Sequence, residues 1–408
     1  MTLQRATMIK VLAIFGTRPE AIKMAPLIKE LNSHPGKISC VVAVTAQHRE
    51  MLDQVLRLFG ISPQYDLNVM RPEQSLFEIT ERALAGLEKV IAGERPDLVL
   101  VHGDTTTTFV AALAAFYFQI PVGHVEAGLR TGNKYSPFPE EINRHLTAVL
   151  ADLHFAPTAT AKENLLKEGV PPEKIFVTGN TVIDALLSTV KQNYRFSHPR
   201  LGEIDYGRKK VLLVTTHRRE NLGEPLRSVY RALKEIVLAY PEVEVVFPVH
   251  KNPAVCQVAK EELNGLPRVH LTEPLSYEPF VNLMQRSYIV LTDSGGLQEE
   301  APALGKPVLV LRDTTERPEA VLAGTVRVIG TEKETVAGEI RRLLEDREHY
   351  RWMAEAVNPY GDGKASARIC RAVLYRFGLA GNPPEEYDPY RLKEKNFRAG
   401  LKDLWTAL

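Results

Sequence analysis

Asp104, Glu126 and Glu140 fall within one stretch, residues 102–144, in the company of His102, His124, Arg130 and Arg144. The stretch reads HGDTTTTFVAALAAFYFQIPVGHVEAGLRTGNKYSPFPEEINR. Carboxylates beside imidazole and guanidinium groups are the parts of acid–base chemistry. The carboxylate takes or gives a proton, and its neighbours set the pH at which it does so. Taken singly, each has a plainer reading. Asp104 precedes four threonines, Thr105 to Thr108, and so has the place of a helix cap. Three carboxylates among His and Arg point instead to proton transfer at one site.

Two further groups suit an anion. Gly16-Thr17-Arg18-Pro19-Glu20 follows an apolar run; Thr17 can cap a helix and Pro19 can start it. Arg18 and Lys23 then flank a helix N-terminus, where free N–H groups already favour negative charge. The plainer reading pairs Arg18 with Glu20 at the surface. The turn is neither a GxGxxG fingerprint nor a phosphate-binding P-loop. Ser294-Gly295-Gly296 ends another apolar run, and its glycines let phosphate oxygens approach successive backbone N–H groups. His217, Glu300 and Arg317 fall near strand ends of the same half, and Phe280 can either stack on a base or fill the core.

These residues need a scaffold that brings chain ends of many short segments together. Apolar runs at residues 9–15, 38–45, 98–101, 120–125, 152–158 and 174–179 read as buried strands. Helical segments at 20–31, 46–59, 77–92, 109–118 and 159–168 alternate with them. Strand and helix in strict alternation imply a doubly wound parallel sheet, whose ligands bind beyond the carboxyl ends of the strands. Residues 191–210 are polar and carry Pro199, Gly202 and Gly207, as an interdomain linker would. A second strand–helix series follows. Its strands are expected at 211–216, 243–249, 268–272, 288–293 and 307–311, the last of these being the final strong one. Its helices are expected at 225–239, 253–263 and 277–285, and then at 335–357 and 365–377. The expected domains are therefore 1–190, carrying the carboxylates, and 211–377, whose last helix packs back on the first domain. Residues 378–408 form an extension ending in a short amphipathic helix.

Composition narrows the function classes. Hydrophobic residues make up 44% and charged residues 25% of 408, as in ordinary globular proteins. A net charge of +1 gives no reason to expect nucleic acid or an anionic membrane as partner. Cys40, Cys256 and Cys370 lie far apart without a CxxC, which argues against a disulfide framework or a thiolate zinc site and for the cytoplasm. The apolar runs at 8–15 and 109–120 are too short for a signal core or a membrane span.

GTRPEAIKMAP (16–26), HGDTTTT, HVEAGLRT, PEEINR, THRREN, DSGGLQEEAP (293–302) and RDTTERPE (312–319) occur in this order. Together they closely resemble the non-hydrolysing UDP-N-acetylglucosamine 2-epimerases of bacteria, over residues 10–370. The resemblance implies an α/β fold of the GT-B type: two Rossmann-like, doubly wound domains with an interdomain cleft. It implies reversible conversion of UDP-GlcNAc to UDP-ManNAc without a cofactor, NAD or an essential metal. It also implies a homodimer that supplies ManNAc-type sugars for cell-surface polysaccharide. By position, Arg18, Lys23, Asp104, Glu126, Glu140, Arg144 and His217 correspond to the family's active-site residues. Phe280, Ser294, Gly295, Gly296, Glu300 and Arg317 correspond to its UDP-binding residues. Gln47 and His250 lie where some relatives bind a second UDP-GlcNAc as activator.

The chemistry so implied is demanding. No carbonyl stands next to C2 of the sugar to acidify its hydrogen, so the accessible route is elimination. A base removes the C2 proton as UDP leaves C1, giving 2-acetamidoglucal; UDP then adds back and a proton arrives on the other face. That scheme needs two proton-transfer groups and strong stabilisation of departing UDP. A glycosyltransferase on the same architecture, a hydrolysing epimerase releasing ManNAc and UDP, and an inactive nucleotide-sugar sensor are the alternatives.

Overall fold

A computed structural model describes residues 8–46, 49–71 and 73–391. Gln47 and the expected terminal helix beyond residue 391 lie outside these described residues. The chain forms two compact units, one from Met1–Ser188 with Tyr360–Arg391, the other built on Thr189–Pro359.

In the first unit the apolar runs become strands β1 (Ile9–Phe15), β2 (Ile38–Val44), β3 (Tyr65–Asp66), β4 (Leu98–His102), β5 (Val122–Val125), β6 (Leu153–Ala156) and β7 (Ile175–Val177). Helices α1 (Arg18–Asn32), α2 (Arg49–Phe59), α3 (Leu76–Glu94), α4 (Thr106–Tyr117), α5 (Glu140–Leu150), α6 (Ala159–Lys167) and α7 (Thr181–Thr189) connect and follow them. The sheet is parallel, in the order β3-β2-β1-β4-β5-β6-β7. Val, Ile and Leu dominate β1 and β4 because helices cover both faces of the sheet, leaving no polar side. The direction of winding reverses between β1 and β4, and the turns that carry Arg18 and Asp104 leave the sheet there.

The start of each helix fixes these turns. Thr17 caps α1, and Glu20 completes a capping box. Thr105, not Asp104, caps α4, so the cap reading of Asp104 gives way and its carboxylate is left for another purpose. Helix α5 is not among the helices expected from the sequence. Its buried face holds Glu141, Asn143, Arg144 and Thr147, while Ile142, Leu146 and Val149 are exposed. Polar residues inside and apolar ones outside invert the usual helical pattern, which hid the helix.

The second unit opens with the short helix α8 (Pro199–Gly202) in the segment read as linker. Leu201 is buried there, and the Arg286 guanidinium lies over the rings of Phe196 and Tyr206 at 5.2 and 5.3 Å. Strands β8 (Lys210–Thr215), β9 (Val243–Pro248), β10 (Val269–Thr272), β11 (Ile289–Thr292), β12 (Val308–Val310) and β13 (Val326–Val328) form a parallel sheet in the order β10-β9-β8-β11-β12-β13. Helices α9 (Glu224–Ala239), α10 (Pro253–Leu263), α11 (Tyr277–Arg286), α12 (Gly295–Ala303), α13 (Pro318–Ala323), α14 (Lys333–Glu345) and α15 (Arg347–Ala354) flank it. Strand β13 lies beyond the last strand expected from the sequence; three residues, VRV, are too few for a pattern to show. The single helix expected over 335–357 is two, because Asp346 ends α14 and caps α15 by accepting from the His349 N–H at 2.9 Å.

Helix α16 (Ala365–Arg376) belongs to the first unit and packs on α1. Buried Asp184 accepts from the N–H groups of Ala365 and Ser366 at its start, at 3.2 and 2.8 Å. Among the described residues, no helix is long and apolar enough to cross a membrane.

Candidate active site

Glu126 follows β5 in a left-handed backbone conformation, φ 62°. A side-chain-bearing residue pays about 1–3 kcal/mol for such a conformation, which clusters at functional sites. Its side chain is only 11% exposed. Oε2 accepts from Lys23 Nζ, which projects from α1, and from Asn180 Nδ2 at 3.1 Å; His102 Nε2 lies 3.5 Å away. Burial alone would raise this carboxyl's proton affinity. The Lys23 charge and the His102 contact outweigh it and hold Glu126 well below the usual carboxylate range.

Asp104 shows the opposite balance. Arg144 Nη2 on α5 donates to its Oδ2 at 2.5 Å, and Asn143 Nδ2 donates to its backbone carbonyl at 3.0 Å. Burial prevails over the Arg144 charge, and the negative charge of Glu126 adds to it, so the Asp104 carboxyl is pushed up. Two carboxylates of one unit are thus driven in opposite directions: one stays ionised, the other is brought toward exchange with solvent protons.

Two residues that the sequence reading did not assign shape this site. Glu20 is 3% exposed. It accepts from the N–H groups of Gly16 and Thr17 at 2.9 and 2.7 Å, and from the hydroxyls of Thr105 and Thr108 at 2.6 and 3.1 Å. It therefore ties the β1–α1 turn to the β4–α4 turn and does not pair with Arg18. Asn180 is the other, and its place just after a strand end was the available signal. His124 is buried and held down to about 3, chiefly by desolvation, so its ring is neutral; its Nε2 donates to the Gly103 carbonyl at 2.7 Å and braces the turn before Asp104.

Two residues of the stretch are placed differently from the expectation. Glu140 opens α5 and does not end a strand; it makes no ion pair with a described residue. Arg130 is bound to Glu168 through Nε and Nη2, both at 2.7 Å, and so does not serve the carboxylates.

In the second unit, His217 leaves β8 and meets Asp293, which leaves β11, with Nδ1 3.0 Å from Oδ1. Ser294 is the N-cap residue of α12, and Gly295 and Gly296 form its first turn. A methyl group at Gly295 would come 4.0 Å from the Arg317 guanidinium, and one at Gly296 3.6 Å from the Glu300 carboxylate. Arg317 is itself anchored by its Nε to buried Glu299. Phe280 is half-buried on α11, and exposed His250 sits with its ring 5.8 Å from that of His217. This unit therefore offers a helix N-terminus, a cation and two imidazoles around an open turn, which suits a diphosphate.

Among the described residues, the group able to bring three metal ligands together is Glu30, His34 and Cys370, within 4.8 Å of one another. It lies at the end of α1 and on α16, away from the carboxylates.

Residues 29–374 match the sequence profile of the UDP-N-acetylglucosamine 2-epimerase family. The chain belongs to that family. UDP-N-acetylglucosamine 2-epimerase of Bacillus subtilis is 56% identical to it over 379 residues, 93% of this chain and 98% of the relative. The structure of UDP-GlcNAc 2-epimerase from Neisseria meningitidis bound to UDP-GlcNAc superposes with a TM-score of 0.80 at 54% identity, covering 90% of this chain and all of that one. S. aureus MnaA, solved with UDP, gives 0.82 at 52% identity, covering 93% of this chain and all of that one. The two parallel sheets of this 2-epimerase family member are those of the GT-B type expected from its sequence.

Proposed function

We propose that the protein interconverts UDP-GlcNAc and UDP-ManNAc by eliminating UDP to 2-acetamidoglucal and adding it back, without releasing free sugar. The observation that carries this reading is the placing of two carboxylates in one unit, Asp104 held by Arg144 and Glu126 by Lys23 and Asn180, in a chain of the 2-epimerase family. An elimination that is reversed on the other face of C2 needs one group ready to accept a proton and another ready to give one. Glu126, kept ionised, suits the first task; Asp104, pushed up, suits the second; Glu140 shares the proton work. Either assignment reverses with the direction of reaction. Lys23 and Arg144 hold these carboxylates in place, and Arg18 adds a cation for the departing diphosphate.

The uridine diphosphate is assigned to the second unit. The α12 N-terminus at Ser294, Gly295 and Gly296 would receive phosphate oxygens, with Arg317 and His217 opposing the charge that develops as the C1–O bond breaks. Glu300 would lie beside the nucleotide at this turn, and Phe280 could stack on the base. The UDP and UDP-GlcNAc held by the relatives support a uridine nucleotide as the ligand. His250 beside His217 supports a second UDP-GlcNAc as activator. The cysteines left as free thiols support a cytoplasmic enzyme. Exposed Ile142, Leu146 and Val149 on α5, with Phe116 and Tyr117 on α4, support a homodimer.

Incubation with UDP-GlcNAc alone in D₂O tests the reaction. The expected product is UDP-ManNAc carrying deuterium at C2, with deuterium entering recovered UDP-GlcNAc as well. Free ManNAc with UDP would show a hydrolysing enzyme. Product without solvent hydrogen at C2 would rule out elimination.

A further inference from the structure

Glu30 lies in the last turn of α1 and His34 just beyond its end, a spacing that sets both side chains on one face. Glu30 Oε1 stands 3.3 Å from His34 Nε2, and both side chains are partly exposed. Helix α16, which packs on α1, carries buried Cys370 to the same point. The carboxylate oxygen, the imidazole nitrogen and the sulfur all lie within 4.8 Å of one another. Burial pushes the Cys370 thiol up to about 12, and the charges of Glu30 and of Cys40 on β2 add to the rise. A thiol there stays protonated unless a cation takes the place of its proton. The plainer reading is a helical Glu–His pair beside a core cysteine, and it leaves the convergence of three different donor atoms to chance.

We propose that Glu30, His34 and Cys370 form a zinc site that fastens α16 to α1, a structural site apart from the reaction. Sulfur, imidazole nitrogen and carboxylate oxygen are donors that zinc takes, at about 2.0–2.3 Å. Tetrahedral bonds of that length set neighbouring donors about 3.3–3.7 Å apart. The Glu30–His34 pair already meets that spacing, and the sulfur has at most about 1 Å to close. One thiolate and one carboxylate cancel the charge of a divalent ion, so the filled site is neutral where water is scarce. The partial negative charge at the C-terminus of α1 favours a cation as well. On binding, the S–H proton passes to solvent as the S–Zn bond forms, and nothing is oxidised. The chain returns to the first unit only at Tyr360, and α16 is the helix it returns with. An ion held by both helices binds the folded unit and not the open chain, so it stabilises that return. No CxxC marks the site, because its donors come from two helices far apart in sequence.

Co²⁺ and Zn²⁺, added to the reduced full chain after treatment with a chelator, are the probes. Wild type should take up Co²⁺ with a sulfur-to-cobalt charge-transfer band in the near ultraviolet, and Zn²⁺ should displace it. Cys370→Ser should abolish the band, while Cys256→Ser, which removes a thiol of the second unit, should leave it unchanged. His34→Ala should weaken Co²⁺ binding by more than the ~10–100-fold that follows loss of an outer partner of a metal ligand. Zn²⁺ at about a hundred times its Kd should raise the Tm of wild type by about 5 °C, and His34→Ala should lose that rise. His34 and Glu30 are partly exposed, so His34→Ala and Glu30→Gln decide the matter even if Cys370→Ser does not fold. A wild type without the charge-transfer band would overturn the proposal. So would a band that survives Cys370→Ser, or binding and a Tm rise that are unchanged in both His34→Ala and Glu30→Gln. None of these readouts depends on turnover of UDP-GlcNAc.

Discussion

Arg144 donates from Nη2 to Oδ2 of Asp104 at 2.5 Å, yet the carboxyl it neutralises is pushed up, because burial outweighs the guanidinium charge. Arg144 is thus a brake on a shift it does not reverse. In Arg144→Gln the brake is gone, and the proton affinity of Asp104 rises further. The limb of the kcat/KM profile that reports Asp104 should then move to higher pH, measured with UDP-GlcNAc as substrate. The linked stability has a definite sign. A folded-state value above the ordinary one means that the native protein holds an extra proton between the two values. Stability from Asp104 is therefore present at low pH and lost as pH rises through its folded value, over a wider window in the variant.

Lys23 and Glu126 predict the opposite pH dependence. Glu126 is held well below its ordinary value of 4.5, so its contribution is present above that value and lost as pH falls through the folded one. Removing one partner of a buried ion pair costs about 3–5 kcal/mol. Lys23→Met should lose stability of that order near neutral pH, and the gap from wild type should close in acid, where Glu126 is protonated in both. Urea midpoints at neutral and acidic pH measure it. A gap independent of pH would mean that Lys23 supports α1 by packing alone.

Gly16 predicts a steric effect. A methyl group there would sit 2.1 Å from Thr45 Oγ1 and 2.6 Å from Thr107 Oγ1, two hydroxyls already hydrogen-bonded to each other at 2.8 Å. Gly16→Ala should cost about 1–3 kcal/mol, the usual range for forcing volume into a packed site. The midpoint of chemical denaturation reports the cost. Because Gly16 also donates to Glu20, activity should fall in the protein that remains folded.

The exposed face of α5 predicts the assembly state. Val149 is 83% exposed, and Ile142 and Leu146 stand in the same stripe. Leu146→Asp combined with Val149→Asp should yield a monomer by sedimentation velocity, since a charge in the centre of an apolar contact is left desolvated and unpaired. A wild-type protein that already sediments as a monomer would dispose of the homodimer.

The two sheets were legible in the chain itself. Runs such as IKVLAIF and LVLVH are apolar but for Lys10 and His102, a pattern that suits a strand covered on both faces, and Gly16, Thr17 and Pro19 mark where the first helix must start. The residue types of the site, Asp104 and Glu126 above all, were legible for the same reason: Glu126 directly follows a strand, and Asp104 stands one glycine beyond another. Tertiary structure alone decided their chemistry. Lys23 meets Glu126 across 103 residues of sequence, Arg144 meets Asp104 across 40, and Asp293 meets the His217 turn across 76. A carboxyl's proton affinity depends on water excluded and charges lying within a few ångströms, and those charges arrive from distant segments that no local period specifies. Helix α5 escaped notice for a related reason: its polar residues are satisfied by partners inside the fold, which makes the side facing solvent the apolar one.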